Sequence, residues 1–450
     1  MFDWLLQGMA AAGDRAALAS NAAVHGYGAL VDRISAWSAR FADAGIAGRV
    51  IAIEGDCSLD TVASFIAAAI ARNIVVPMSA ASEPHREEFL RLAEVEYHVR
   101  PDSSGTIESA GCIASHGLYE RLRGSSSAGL VLFSSGTSGA HKAAVHDLVK
   151  LLEKFRVTRH TYRTLLFLQL DHIGGINTLF YTLANLGTIV TSDGRLPRNV
   201  CEAIERHRVQ LLPTSPTFLN LLLLSEEHLR HDLSSLELMT YGTEPMPELT
   251  LQRVRTAFPA VRLLQTYGLS ELGILRSQSR GPDSLWIRVG GEGFQTKVVD
   301  GRLFIKAQSA MLGYLNAPSP FDADGYFDTG DAVEQDGEWL RILGRQSEMI
   351  NVGGSKVFPS EVENVLLAME NVEDAVVHPE PHPLIGQIVV ATIKLALPED
   401  PVAFKTRMRL FCKSRLSAYK TPAKVRFAES LHSARFKKIR KHPEHRGAGA

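Results

Sequence analysis

The stretch Gly129-Leu-Val-Leu-Phe-Ser-Ser-Gly-Thr-Ser-Gly-Ala-His-Lys142 concentrates groups that suit an anion. Gly136 and Gly139 let the backbone curl with its N–H groups inward and carry no Cβ to block a phosphate. Ser134, Ser135, Thr137 and Ser138 add hydroxyl donors, and Lys142 adds a positive charge on a flexible stem. The spacing is not the G-x-x-x-x-G-K-S/T of a Walker loop. A Ser/Gly surface turn would use the same residues, so this stretch alone points to phosphate and no further.

Five further stretches carry chemistry-bearing residues. Tyr241-Gly-Thr-Glu-Pro-Met246 reads as a strand end followed by a glycine turn, a common ligand edge in an α/β sheet. Gln265-Thr-Tyr-Gly-Leu-Ser-Glu271 puts an aromatic face, a glycine, a hydroxyl and a carboxylate close together. Ser270–Glu271 would serve equally as a helix cap. Gly325-Tyr-Phe-Asp-Thr-Gly-Asp331 places an acid in a tight turn, where it accepts sugar hydroxyls or simply stabilises the turn. Gly344-Arg345 precedes Met349-Ile-Asn-Val-Gly-Gly-Ser-Lys-Val-Phe-Pro-Ser-Glu-Val-Glu363, read as a glycine pair and a helix start capped at Ser360. Glu361 and Glu363 read mostly as a solvated face of that helix. The last stretch is Leu431-His-Ser-Ala-Arg-Phe-Lys-Lys438, where a charged surface is the plain alternative. His172, in Leu170-Asp-His-Ile-Gly-Gly175, is either a satisfied core histidine or a pocket residue.

The elements that would hold these groups alternate. Leu130–Phe133 is a short apolar run that suits a strand covered on both faces. Before it, 29–44 reads as a helix, 49–54 as a strand, 58–71 as a helix and 73–77 as a strand. After it come strand 164–170, helix 178–186, strand 188–191, helix 200–206, strand 210–213, helix 216–224 and strand 236–241. This rhythm predicts an α/β fold, a large layered N-terminal domain with mostly parallel sheets. From Ser284 to Leu343 short strands separated by Gly/Asp turns predict a β-rich hairpin region. Beyond Arg345 a small α+β unit of about a hundred residues follows, so the expected domains are 1–345 and 346–450.

With 450 residues, more than one core is expected. The 48 basic and 49 acidic side chains nearly balance, which gives no electrostatic case for nucleic acid. Cys57, Cys112, Cys201 and Cys412 have no paired spacing, so neither a disulfide framework nor a zinc site is expected, and a reducing compartment fits. The N-terminus lacks the basic start of a signal peptide, and the apolar stretch 62–78 is broken by Arg72 and Asn73. No membrane span is expected, and a cytoplasmic location is the default reading.

The order and spacing of the motifs resemble the adenylate-forming superfamily: acyl- and aryl-CoA synthetases, adenylation domains of nonribosomal peptide synthetases, and luciferases. The resemblance rests on Ser-Ser-Gly-Thr-Ser-Gly-x-x-Lys, Tyr-Gly-x-Ser-Glu, Thr-Gly-Asp, and Gly-Arg followed by Gly-Gly-x-x-Val-x-Pro-x-Glu-Val-Glu, all in family order. It implies an ATP-dependent, Mg²⁺-requiring ligase that makes an acyl-adenylate from a small-molecule carboxylic acid and passes the acyl group to a thiol, most often coenzyme A. It implies that Ser134 to Gly139 and Lys142 hold the β- and γ-phosphates, that Gly242, Thr243 and Glu244 lie against adenine, and that Tyr267 stacks on it. Gly268 and the pair Gly353–Gly354 join the nucleotide-binding set. Ser270 would touch the α-phosphate, Glu271 would hold the metal, and Asp331 and Arg345 would hold the ribose hydroxyls. Lys438 would bridge carboxylate and α-phosphate from a mobile C-terminal domain, while His172, Gly174 and Gly175 would border the acid. An amine or a carrier-protein thiol remains open as acceptor, as do a non-catalytic nucleotide-binding role and a monomeric or homodimeric state.

Departures from the family pattern are specific. His141 stands where proline is usual and Ala143 where glycine is usual. Ser347 occupies a hinge position commonly Asp or Lys. The tail lacks the family's proline, threonine and glycine, which leaves Lys437 as a neighbour of Lys438 able to take its place. The chain is short for the family, which points to a trimmed N-terminal region.

Overall fold

The computed structural model of this chain describes residues 2–101, 105–135, 140–291, 293–429 and 431. Gly136, Thr137, Ser138 and Gly139, and the tail with Lys437 and Lys438, lie outside the described residues.

Two sheets form the bulk of the N-terminal part. One runs, in spatial order, through strands Gly313–Tyr314, His141–Asp147, Gly129–Ser135, Ile74–Met78, Val50–Glu54, Tyr97–Arg100 and Thr106–Ser109. Its four middle strands are parallel and its edges antiparallel. All five residues of Ile74–Met78 are buried, as expected of an apolar strand covered on both faces. The crossover from Val50–Glu54 is helix Leu59–Ile70, whose start is capped by the Ser58 hydroxyl accepting from the Thr61 N–H. Its alanines let it pack closely on helix Tyr27–Asp43.

The other sheet orders strands Arg262–Gln265, Leu238–Tyr241, Leu211–Thr214, Arg163–Leu165, Thr188–Val190, Ala16–Ala19 and Val24–Gly26. It is parallel except for the last pair. The strand expected over 164–170 stops at Leu165, and the helix expected from 178 already begins at Ile173. The His172 side chain makes this early start possible, because its Nδ1 accepts from the Gly174 N–H at 3.0 Å. Gly175 completes it: a Cβ there would come within 1.9 Å of the Gln169 carbonyl oxygen.

The hairpin region is a six-stranded antiparallel sheet ordered Ser277–Ser279, Trp286–Val289, Trp339–Arg345, Phe327–Asp336, Arg302–Ala307 and Phe294–Val299. After the one-turn helix Gln346–Glu348, a five-stranded sheet begins at Ile350 and packs on helices Pro359–Leu367 and Pro401–Lys413. Two expectations fail here. Ser360 is not the helix cap: it lies inside helix Pro359–Leu367 and donates its hydroxyl to the Leu343 carbonyl at 2.5 Å, joining helix to hairpin sheet. Glu363 is not on a solvated face; it is buried and accepts from the Val377 N–H at 2.9 Å. A carboxylate in that position stands in for a missing ladder partner, which the 3.6-residue pattern does not reveal. Among the described residues, no helix is long and apolar enough to cross a membrane, and all four cysteines are free.

Candidate active site

Strand ends and one short hairpin bring the chemistry-bearing residues together. Strand Gly129–Ser135 delivers Ser134 at its carboxyl end, and its antiparallel partner returns Lys142 opposite Ser134 in register. Tyr267–Leu269 and Gly273–Leu275 form a two-stranded hairpin with Ser270 and Glu271 in its turn. No helix starts there, so the helix-cap reading of Ser270–Glu271 falls away. Gly268 is required by close packing, since a Cβ would lie 2.5 Å from the Ile274 side chain and 2.8 Å from the Gly273 carbonyl.

Glu271 is the hub of one half of the site. Its Oε1 accepts from the Tyr314 hydroxyl at 2.7 Å and lies 3.5 Å from the Ser134 Oγ. Lys142 Nζ sits 5.0 Å from the centroid of the same Tyr314 ring, a cation–π distance. A carboxylate, two hydroxyls and an ammonium therefore gather between the end of strand Gly129–Ser135 and the start of strand His141–Asp147. Burial, and then the Glu271 charge, push the Tyr314 phenol well above its usual range, so Tyr314 remains a donor. Tyr314 was not singled out in the sequence; its one signal is its place after Gly313 in an apolar run.

Asp331 and Arg345 form the other half. They are cross-strand partners in the hairpin sheet, and Arg345 Nε lies 2.9 Å from Asp331 Oδ1. Asp331 is thus in strand Phe327–Asp336 rather than in the tight turn expected of it. The Tyr267 hydroxyl donates to Asp331 Oδ2, and Arg345 also donates to the Thr329 carbonyl at 2.6 Å. Asp331 is 6% exposed, and burial pushes its carboxyl upward against the pull of Arg345 and the Tyr267 hydroxyl. Partial desolvation works against the charge of the half-exposed Arg345 too, but Asp331 beside it keeps the guanidinium above its usual range.

Gly242, Thr243 and Glu244 follow the carboxyl end of strand Leu238–Tyr241 in the parallel sheet, the edge where such sheets present ligands. Gly242 packs against Thr266, whose carbonyl oxygen a Cβ would meet at 2.7 Å. Thr243 holds a left-handed φ of +74°, a strained conformation for a β-branched residue. Glu244 Oε1 accepts from the Thr217 N–H at 2.8 Å, at the first turn of helix Pro216–Leu224. Gly353 and Gly354 make the turn between strands Ile350–Val352 and Ser355–Val357, with φ of +57° and +89°.

Beneath the hairpin lies a residue that sequence reasoning missed. His146 is fully buried on strand His141–Asp147, its two ring nitrogens make no full hydrogen bond, and the Ser270 backbone is the one group that favours its proton. Burial pulls its pKa down to about 4. The unfolded chain therefore binds a proton here between about pH 6.5 and pH 4 that the folded chain refuses, so stability falls as pH drops through that window. The loss amounts to about 3 kcal/mol at most, from about 1.4 kcal/mol per unit. The melting temperature of the protein is expected to fall between pH 7 and pH 4.5, and to fall less in His146→Leu. Parallel acid limbs for the two proteins would sink the assignment.

The chain as a whole is similar to known proteins. The family model described as AMP-binding enzyme matches residues 7–315, and that described as AMP-binding enzyme C-terminal domain matches residues 361–438. A methyl-dioxo-octahydroindenyl propanoyl:CoA ligase of Mycobacterium tuberculosis is 32% identical over 327 residues, which are 67% of this chain and 62% of the relative. The aligned part of the chain thus spans less than two thirds of that relative's length. Among solved structures, the anthranilate CoA ligase AuaEII in complex with anthranoyl-AMP superposes with a TM-score of 0.81 at 20% identity, over 97% of this chain and 95% of that one. The amide bond synthetase McbA from Marinactinospora thermotolerans superposes with a TM-score of 0.76 at 21% identity, over 96% of both chains. These two likenesses establish the shared α/β fold with a large N-terminal and a small C-terminal domain.

Proposed function

Because this chain belongs to the AMP-binding enzyme family, we propose that it activates a carboxylic acid with ATP as an acyl-adenylate, releases pyrophosphate, and passes the acyl group to the thiol of coenzyme A. The observation that carries this reading is the convergence of Ser134, Lys142, Glu271 and Tyr314 on one side with the Asp331–Arg345 pair on the other. The first set suits a triphosphate and its metal, the second a pair of vicinal hydroxyls. A carboxylate attacking an anionic phosphorus needs cations to offset repulsion and to hold the departing oxygens.

The donor set fits Mg²⁺: Glu271 offers a hard, anionic oxygen and Ser134 a neutral one beside it. Bound there, the ion would supply charge neutralisation for the triphosphate. Glu271 would hold it, the Tyr314 hydroxyl fixes the carboxylate rotamer, and Lys142 would meet the outer phosphates. Asp331 accepts from the ribose hydroxyls, with the charge of Arg345 beside it opposing the effect of burial. Tyr267 and the turn at Gly242 to Glu244 form the adenine side, and His172, Gly174 and Gly175 border the acid. The carboxylate and α-phosphate are bridged by Lys438, at which the C-terminal family match ends, in a unit 346–450 that pivots near Ser347 to serve the two half-reactions. Free cysteines fit a cytoplasmic location.

The test is carboxylate-dependent exchange of pyrophosphate with ATP, run over a panel of acids, with mass spectrometry of products formed with coenzyme A, amines or a carrier protein. Acid-dependent exchange and an acyl-CoA product are expected. Exchange with an amide as the sole product would move the acceptor to an amine, and no exchange with any acid would overturn the reading. Lys142→Ala is expected to raise the KM for ATP about tenfold, the worth of one half-buried charge-assisted contact. Lys438→Ala should abolish adenylate formation yet keep transfer from a presynthesised adenylate, whereas Lys437→Ala should keep both. The reverse pattern would transfer the role to Lys437.

A further inference from the structure

Outside this site, His85, Glu88 and His141 offer one ligand atom each within 4.8 Å of one another, the one such group of three among the described residues. His85 and Glu88 lie at the start of helix Arg86–Leu92, three residues apart and so on one face. His141 opens the strand that leaves the loop 136–139, in register with Ser135. His141 Nδ1 is 3.2 Å and His85 Nδ1 is 3.7 Å from the same oxygen of Glu88, Oε2. Tetrahedral coordination with bonds of roughly 2.0 Å sets its ligand atoms roughly 3.3 Å apart, so both separations sit near a tetrahedral edge.

The geometry points to a divalent transition-metal site of the zinc class, built from two imidazoles and one carboxylate with a fourth position open to water. Two nitrogens and one oxygen are the ligand chemistry of Zn²⁺ rather than Mg²⁺ or Ca²⁺, which take oxygen sets. The surroundings are organised as a metal site requires. Phe89 stacks on Phe133 with ring centroids 3.9 Å apart and planes at 5°. The same Phe89 ring meets His141 edge-on at 4.9 Å and His85 at 5.7 Å, so both imidazoles rest on one aromatic floor. The backbone of the strand is fixed on the other side: Asn316 donates to the His141 carbonyl at 2.7 Å and accepts from the Ala143 N–H at 3.0 Å. Entry is open, because the His85 and Glu88 side chains are 46% and 37% exposed. A metal held here clasps the start of helix Arg86–Leu92 to the start of strand His141–Asp147.

The site is tested on the full chain, freed of metal by chelation and titrated with Zn²⁺ alone by calorimetry, and with Co²⁺ alone by visible absorption. One equivalent of Zn²⁺ is expected at a Kd of about 10 µM or tighter, with the absorption bands of tetrahedral Co²⁺. Each of His85→Ala, Glu88→Gln and His141→Ala should weaken binding at least about tenfold, while His25→Ala, on a distant strand, should leave it unchanged. Glu88→Gln keeps the side chain's shape, so a loss there cannot be blamed on misfolding if its melting curve matches the unaltered protein. Absence of stoichiometric binding, or three variants that bind as the unaltered protein does, would overturn the site.

Discussion

Glu271→Gln is expected to lower the rate of acyl-adenylate formation by two to three orders of magnitude, about 3–4 kcal/mol of transition-state stabilisation. The amide preserves the shape of the side chain and still accepts from the Tyr314 hydroxyl now 2.7 Å away, so the hairpin turn should survive. What it removes is the negative charge beside Ser134, and with it the preference of this corner for a hard divalent cation. The loss should therefore appear as a raised Mg²⁺ requirement and a lowered kcat, with acyl transfer from a presynthesised adenylate nearly unchanged. Stopped-flow measurement of pyrophosphate release against Mg²⁺ concentration checks it. A variant with an ordinary Mg²⁺ dependence would mean that Glu271 serves only to hold Tyr314 in place. Tyr314→Phe separates the two roles: it frees the carboxylate rotamer without touching the charge, and should cost about tenfold, within the range of one hydrogen bond.

Asp331→Asn should cost about a hundredfold in kcat/KM for ATP, and unlike the first variant it should also destabilise the fold. The carboxylate is 8% exposed as a side chain and pairs with Arg345 at 2.9 Å, while the Tyr267 hydroxyl donates to its other oxygen. Removing one member of a buried, hydrogen-bonded pair leaves its partner's charge poorly compensated, at about 3 kcal/mol for a fully buried case. Arg345 is 45% exposed as a side chain, so water recovers part of that and a loss of about 1–2 kcal/mol is expected. The nucleotide supplies the sharper readout. The unaltered protein should discriminate against 2′-deoxy- and 3′-deoxy-ATP, and Asp331→Asn should use all three nucleotides with similar, low efficiency. If the variant kept the preference for ATP, the ribose would have to be read elsewhere and the pair would be structural only. Tyr267→Phe keeps the ring against the nucleotide and removes only the hydroxyl, so its effect should lie in melting temperature more than in KM.

The residues proposed for the site could be picked out in the chain because their signal is local. A glycine–hydroxyl loop after an apolar run, Tyr-Gly-x-Ser-Glu and Thr-Gly-Asp each declare themselves within a few positions, and alternating strand and helix patterns need only short-range periodicity. Helix Pro216–Leu224 was read to the residue, because Ser215 and Pro216 mark its start by capping chemistry and a fixed φ. What lies across the fold was not legible. Ser134 and Glu271 meet over 137 positions, and Tyr314 reaches Glu271 over 43; no pattern inside a segment encodes either meeting. Asp331 looked like turn chemistry because Thr-Gly-Asp is turn-like in composition, but pairing with Arg345 draws it into a ten-residue strand. Glu363 looked solvent-facing because a glutamate on a helix is usually so, yet an unpaired Val377 N–H opposite it makes burial favourable. His146 and the triad of His85, Glu88 and His141 are ordinary residues in sequence. Burial under the Ser270 turn sets the proton affinity of the first. The second exists only because strand His141–Asp147 passes over the start of a helix 53 residues earlier in the chain.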